Sequence, residues 1–179
     1  MRTLREVCRL SIALVLAVGC STTIAQTPAA KPPAASPPAA GAVASGQAVG
    51  TLAAKGKTIT LAYAYAFVDE GDKKKPVILL LTEQQVPAAS WKGDSDIQTY
   101  RMFNKNPLRG VAFHLNDKRE LMAADIYEHS FPTGTVGIFA LKFDGPAGKT
   151  FAGTAKSTEA AAKLSEPVSL SASFNATLK

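Results

Sequence analysis

The sequence predicts a mainly β fold, an antiparallel β-sandwich or small barrel of about eight strands with one short helix. Three observations predict it. Apolar residues alternate with small or polar ones along most of residues 46–179, which is the period of a β-strand. Short turns rather than helical crossovers join these segments, and that favours antiparallel pairing. Only residues 94–104 break the alternation, with the spacing of a helix face.

The leader, residues 1–19, is predicted to be an export signal rather than part of the fold. Its basic start is followed by an apolar run that is too short for the roughly 20 residues that span a bilayer. Residues 16–20, "LAVGC", resemble a bacterial lipoprotein signal, which implies that Cys20 carries a diacylglycerol. With Ser21 after the cysteine, the resemblance implies anchoring to the outer membrane. The alternative is cleavage after Ala25, which gives a soluble periplasmic or secreted protein.

Residues 20–45 are predicted to be a tether. Five Pro and eight Ala among residues 27–45 cannot build a core, and they favour an extended, semi-rigid spacer. Both cysteines, Cys8 and Cys20, precede the predicted domain, which therefore has no disulfide, thiol nucleophile or cysteine-bound metal. Residues 46–179 are long enough for one domain with its own core.

Three strands are predicted before the helix, at residues 47–54, 58–68 and 77–82. The second alternates large and small side chains, and its large ones are Ile59, Leu61, Tyr63, Tyr65 and Phe67. We expect this bulky row to fill the interior or the gap beneath the helix, because aromatic side chains are usually buried. The alternative is that Tyr63 and Tyr65 face outward as a binding strip.

The helix predicted over residues 94–104 begins at Asp94 or Ser95, either of which can accept a bond from a free backbone N–H. Its apolar face is formed by Ile97, Tyr100 and Phe103. Trp91, the only tryptophan, precedes the helix and is expected to hold it against the sheet. An exposed anchor for a partner or glycan is the alternative for this tryptophan.

Five further strands are predicted after the helix. They lie at residues 110–115, 120–128, 134–143, 149–157 and 167–178. The segments between them, such as "NDKR" and "DGPAG", have the composition of tight turns. Neighbouring strands in this half of the chain are therefore expected to pair as hairpins.

The first of these hairpins places the candidate polar cluster. With an even-length turn, one face of the hairpin is formed by Val111, Phe113, Leu115, Met122, Ala124 and Ile126. The opposite face is formed by Ala112, His114, Leu121, Ala123, Asp125 and Tyr127. His114 and Asp125 then become diagonal neighbours, and such a pair beside Tyr127 is the arrangement of a base and its orienting group. No serine lies in a Gly-x-Ser-x-Gly setting, so we expect a half-exposed polar face and no catalytic residue.

Metal and nucleic-acid binding are not expected, and no cofactor is predicted. The ligands clustered in the sequence are His114, Asp125, Glu128 and His129, but adjacent residues of a strand such as the last two point to opposite faces. The net charge of +6 falls to +4 without residues 1–19, which contain three Arg and one Glu. The basic residues form no stripe interleaved with aromatic ones, so a nucleic-acid partner has no support.

The lipoprotein-type signal, the tether and a "YAYA" strand followed by "LLLT" together resemble small bacterial envelope lipoproteins and secreted β-domains of no assigned activity. We therefore expect a non-enzymatic envelope domain, anchored through Cys20, that binds a partner protein or an envelope polymer. One alternative is a carrier whose internal cavity is lined by Tyr63, Tyr65 and Phe67, with Trp91 as a further candidate for ligand contact. The other is a hydrolase that uses the His–Asp pair.

Overall fold

Eight antiparallel strands form one sheet that nearly closes into a barrel, in the computed structural model that describes residues 43–128, 134–146 and 148–179. The strands are β1 Gln47–Ala54, β2 Lys57–Val68, β3 Val77–Thr82, β4 Gly110–Leu115, β5 Leu121–Tyr127, β6 Phe139–Phe143, β7 Thr150–Ser157 and β8 Ser169–Thr177. The helices are α1 Asp94–Phe103 and α2 Glu159–Ala162, and a 3₁₀ turn covers Ala88–Ser90. The predicted mainly β class, with about eight antiparallel strands, is confirmed.

The strand order is β5-β4-β3-β2-β1-β8-β7-β6. Strands β1 to β5 form one meander and β6 to β8 form another, and the pairing of β1 with β8 joins the two. β5 and β6 are the two edges, and a bridge between Ala124 in β5 and Thr135, which precedes β6, forms the seam between them. The two residues exchange backbone hydrogen bonds of 2.9 Å in both directions. Thr135 Oγ1 also donates to the Ala124 carbonyl at 2.8 Å. The architecture is thus a barrel rather than two stacked sheets, and it resolves the two predicted alternatives.

The barrel interior is an apolar core drawn from all eight strands. Leu52, Ile59, Phe113 and Phe174 are fully buried there, and each occupies an inward position of its strand. Pairs of rings meet edge to face, with 5.7 Å between the centroids of Phe113 and Phe139. Side chains of this size fill an eight-stranded barrel, whose interior has room for little else.

Each rim of the barrel carries a set of side-chain contacts. At one rim the guanidinium of Arg119 lies 4.2 Å from the ring centre of Phe151 and donates to the Gly148 and Thr150 carbonyls at 2.5 and 3.0 Å. The other rim carries an ion-pair network, which links Glu83, Arg109, Glu128 and Lys57. These contacts link the ends of several strands to one another.

Strand β2 changes the face to which its large residues point. Ile59 and Leu61 belong to the interior, whereas Tyr65 and Phe67 lie on the outer face beneath α1. The change coincides with an irregularity in the β1–β2 register between Gln47 and Gly50. The extra residue of this bulge lies on β1, opposite the point where β2 changes face. The predicted bulky row is therefore divided between the interior and the gap under the helix.

Helix α1 covers the outer face of β2 to β5. Ile97 is completely buried against that face, and Tyr100 packs there more loosely. The expectation for Phe103 was wrong, because its side chain is 81% exposed at the end of the helix. Trp91 contacts the rings of Phe67 and Tyr100, with centroids 6.0 and 5.4 Å apart, and so holds the helix to the sheet as expected.

Two element boundaries differ from the expectation. β6 begins at Phe139 rather than at residue 134, because the preceding residues form the seam with β5 instead of a continuous ladder. The short helix α2, which was not predicted, fills the connection between β7 and β8 and buries Ala161. Among the described residues, none of the helices has the length and apolarity that crossing a membrane requires.

Candidate functional site

The candidate site lies on the outer face of β4 and β5, where the predicted pair of His114 and Asp125 meets. Ala112 pairs with Asp125 and His114 with Ala123, so the two polar residues are diagonal neighbours. His114 Nε2 donates to Asp125 Oδ2 at 2.9 Å. The diagonal arrangement predicted from the turn is therefore present.

The predicted faces were wrong at one end of the hairpin. The register shifts between His114 and Leu115, which pairs with Leu121. Leu121 consequently packs against the interior core instead of joining the polar face, and Met122 is 37% exposed instead of buried. A bulge placed next to the histidine has moved one residue of β5 across the sheet.

The pair is more deeply buried than a half-exposed polar face. The side chains of His114 and Asp125 are 16% and 10% exposed. Helix α1 covers them and places Asp94, in its first turn, beside both. Ligand atoms from Asp94, His114 and Asp125 all lie within 4.8 Å of one another. We call these three residues the Asp–His–Asp cluster.

Sequence reasoning missed Asp94, which was assigned only as a possible helix cap. Gly93 is instead the N-cap, and no side chain caps the helix. The carboxylate of Asp94 accepts long bonds of 3.4 Å from Gln98, one turn along the helix. The only signal in the sequence was an acidic residue in the first turn of the predicted helix. This signal could not be connected to His114 without knowing where α1 packs on the sheet.

Arg101 and Tyr127 border the cluster. The guanidinium of Arg101 lies 4.8 Å from the ring centre of Tyr127 and donates to Gln98 Oε1 at 2.9 Å. Tyr127 is 1% exposed, and its hydroxyl is buried without a hydrogen-bond partner among the described residues. Since buried hydroxyls nearly always have a partner, this group is an exception that needs an explanation.

Burial and charge act in opposite directions on the cluster. Burial alone lowers the pKa of His114, but the hydrogen bond and charge of Asp125, helped by Asp94 and Asp69, raise it above its ordinary value. Burial raises the pKa of Asp125, yet the bonds from His114 and the Gly134 N–H lower it below the usual range. Burial raises the pKa of Asp94. The cluster thus favours a positive charge between its two carboxyl groups.

Asp125 also holds the barrel seam. Its Oδ1 atom accepts a hydrogen bond from the backbone N–H of Gly134, next to the bridge residue Thr135. One carboxylate therefore ties the cluster to the segment that closes β5 towards β6. This second bond fixes the orientation of Asp125 towards His114.

The other sequence-predicted ligands are not in this cluster. Glu128 bonds Lys57 at 2.8 Å and Arg109 at 3.3 Å in the rim network, and these bonds lower its pKa despite burial, which raises it. His129 lies outside the described residues, as does the predicted lipidation site Cys20. The cluster therefore draws its third member from α1 rather than from the end of β5.

The tentative ligand-binding residues do not line the barrel interior. Tyr65 and Phe67 pack beneath α1 with Trp91, and the Tyr65 hydroxyl accepts the Val86 N–H at 3.1 Å. Tyr63 is half-buried at the point where the strand changes face. These three residues of β2 therefore cannot wall an internal cavity as predicted, because Tyr65 and Phe67 lie on the outer face beneath α1.

Two surface depressions are lined by other residues. One, about 460 Å³, is open to solvent between Asp69, Lys73 and Ser95. The other, about 330 Å³, lies between Lys74 and Met122. Neither is lined by members of the Asp–His–Asp cluster.

No protein-family model, curated protein or solved structure matches the chain. Conclusions about function therefore rest on the geometry of the described residues.

Proposed function

We propose that the chain is a non-enzymatic module of a bacterial cell envelope, held to the membrane by a lipid on Cys20, whose β-domain binds a partner protein. The observation that carries the binding proposal is a pair of large apolar side chains on the surface at the end of α1. Met102 is 69% exposed and Phe103 is 81% exposed, and they are adjacent in the chain.

The exposed pair sits on a well-anchored helix. Ile97 is completely buried beneath α1, and Arg101 stacks on the ring of Tyr127 directly before the pair. Met102 and Phe103 are therefore presented from a fixed element rather than from a loop. Aromatic residues and Met are enriched at the centres of protein interfaces, where a few such side chains supply most of the binding free energy.

The packed interior favours a protein that binds its partner on the surface, rather than a carrier that holds a small molecule inside the barrel. The core contains large side chains from every strand. A carrier for a small molecule needs a preformed cavity of several hundred cubic ångström. A ligand would have to displace this core to enter the barrel.

The contacts of His114 give the hydrolase alternative little support. Its Nε2 atom bonds Asp125, and α1 covers the pair. A nucleophilic enzyme instead needs a serine, threonine or cysteine side chain within hydrogen-bond reach of its base. Burial raises the pKa of the nearby Tyr127 hydroxyl, and a hydroxyl that ionises less readily is a poorer nucleophile.

Site-specific photo-crosslinking tests the proposal. A photoreactive phenylalanine analogue replaces Phe103 in cells that express the full chain, and the matched control replaces Val49, which is 44% exposed on β1. We expect one discrete protein adduct at position 103 and none at position 49. Met102→Ser should lower the yield of that adduct about tenfold, because truncation of a central interface residue costs more than 1 kcal/mol.

Other outcomes contradict the proposal. Equal adducts at positions 103 and 49 indicate non-specific contact, and adducts with lipid or cell-wall polymer alone indicate a different class of partner. The anchor is tested in the same membranes by mass spectrometry of the N-terminus. A diacylglyceryl group on Cys20 supports the anchor, whereas a free start at Gln26 contradicts it.

A further inference from the structure

We propose that the Asp–His–Asp cluster is a binding site for a divalent transition-metal ion of the zinc and manganese class. The three donors come from separate elements, with Asp94 on α1, His114 on β4 and Asp125 on β5. Two carboxylates and one imidazole are a donor set that suits ions of this class. The proposal goes beyond partner binding and does not depend on it.

The distances within the cluster fit a shared ion. Donors bound to one ion at roughly 2.1 Å each lie about 3 to 4 Å apart. His114 Nε2 and Asp125 Oδ2 are 2.9 Å apart, and the donor atoms of all three residues lie within 4.8 Å of one another. The ion displaces the Nε2 proton of His114, which leaves to solvent, and a small outward movement of the His–Asp pair with a rotation of Asp94 brings all three donors to the ion.

Charge also favours a cation at this point. Asp94 and Asp125 bring two carboxylates to a largely buried site beside a single imidazole, and the guanidinium of Arg101 is stacked on the ring of Tyr127. Carboxylates in a low-dielectric setting need compensation by positive charge. A divalent ion supplies that compensation directly between the donors.

Tyr127 provides an independent indication of a ligand. Its hydroxyl is completely buried without a partner among the described residues, and it interacts electrostatically with Asp94 and Asp125. A phenylalanine at this position would keep the same packing and avoid the cost of an unpaired hydroxyl. A metal-bound water at the cluster would give this hydroxyl a hydrogen-bond partner.

The support around the donors is of the kind that metal sites have. Asp125 is held from behind by the Gly134 N–H, and Gln98 bonds the carboxylate of Asp94. Such outer bonds fix the orientation of ligating side chains and tune their affinity. The competing explanation is an ion-pair staple that only fastens α1 to the sheet, and the two explanations predict different responses to metal.

Calorimetric titration with ZnCl₂ and MnCl₂ tests the proposal. The full chain is first freed of metal by dialysis against a chelator in mild detergent, and MgCl₂ and CaCl₂ serve as comparison ions. We expect one equivalent of Zn²⁺ or Mn²⁺ to bind and to raise the melting temperature. Asp94→Asn and His114→Gln should each weaken binding at least tenfold, and Tyr127→Phe about tenfold.

Two matched controls locate the ion. His129→Gln removes the only other histidine, and Asp117→Asn removes an exposed carboxylate in the turn after β4. Both should bind like the wild type. Asp94→Asn keeps the volume of the side chain, so a normal melting curve for its metal-free form separates loss of binding from loss of folding.

Several results overturn the proposal. Failure of both ions to bind with a defined stoichiometry leaves only the ion-pair staple. Unchanged affinity in His114→Gln or Asp94→Asn places the ion elsewhere, and loss of binding in His129→Gln places it at that histidine. An unchanged affinity in Tyr127→Phe contradicts the metal-bound water beside its hydroxyl, whereas the expected loss in His114→Gln and Asp94→Asn still supports the three-donor site.

Discussion

The two faces of the β4–β5 hairpin use the same strands for different purposes. The inner face is entirely apolar, and it consists of Val111, Phe113, Leu115, Ala124 and Ile126. The outer face carries Ala112, His114, Asp125 and Tyr127 beneath α1. Both faces are largely buried, yet polar groups occur on only one of them. Burial alone therefore does not decide where this fold accommodates charge.

The difference lies in what covers each face. Strands opposite one another surround the interior, where a charged side chain would find only other apolar residues. The outer face is covered by α1, a helix with polar residues, and two of these, Asp94 and Arg101, reach towards the sheet. A helix that covers a sheet can supply partners for buried polar groups. A ligand-binding site can therefore form on the outer face of β4 and β5 but not in the interior.

Truncation inside the barrel should have the largest effect. Phe174→Ala removes a completely buried ring, and we expect the free energy of unfolding to fall by about 4 kcal/mol. Urea unfolding followed by fluorescence measures the loss. Phe103→Ala removes the same ring at an exposed position and should change stability by less than about 0.5 kcal/mol. Similar losses in both variants would mean that Phe103 is covered in solution.

Removal of one member of the His–Asp pair should have the next largest effect. His114→Leu leaves Asp125 buried without its partner, and we expect a loss of about 3 kcal/mol at neutral pH in chelator-treated protein. The double variant with Asp125→Leu should be more stable than the sum of the single losses implies, by about 2 kcal/mol. Strictly additive losses, measured by urea unfolding, would show that the pair contributes no coupling.

The rim network should give a smaller, pH-dependent effect. The pKa of Glu128 is lowered in the folded state, so its contribution is present above the unfolded pKa and is lost as pH falls through the folded one. Glu128→Gln should cost about 1.5 kcal/mol at pH 7 and much less near pH 3. The more exposed Glu83, changed to Gln, should cost less than about 0.5 kcal/mol. A constant difference between wild type and Glu128→Gln across this range would contradict the assignment.

The strand pattern and the His114–Asp125 pair could be predicted because they depend on local periodicity. Alternation fixes which residues share a face, and a short turn fixes the register of a hairpin. The bulges could not be predicted in this way. One lies on β1, opposite the point where β2 changes face before Tyr65, and another lies on β5 and turns Leu121 inward. Each inserts a single residue at a place that the packing of neighbouring strands selects.

The third member of the cluster was hidden for a different reason. Asp94 is far from His114 and Asp125 in the chain, and its position at the start of a helix gave it an ordinary role as a cap. Only the docking of α1 on the outer face brings it to the pair. The exposure of Phe103 has the same origin, because the helix turns its last residue away from the sheet.

Asp125 joins the site to the weakest lateral contact of the barrel. One of its oxygens bonds His114, and the other bonds the Gly134 amide beside the bridge of Ala124 and Thr135. Opening fluctuations of a nearly closed sheet start where pairing is sparse. We therefore expect deuterium uptake by these seam amides to fall when a metal ion binds the Asp–His–Asp cluster, so that binding beneath α1 would lower the opening rate of the barrel.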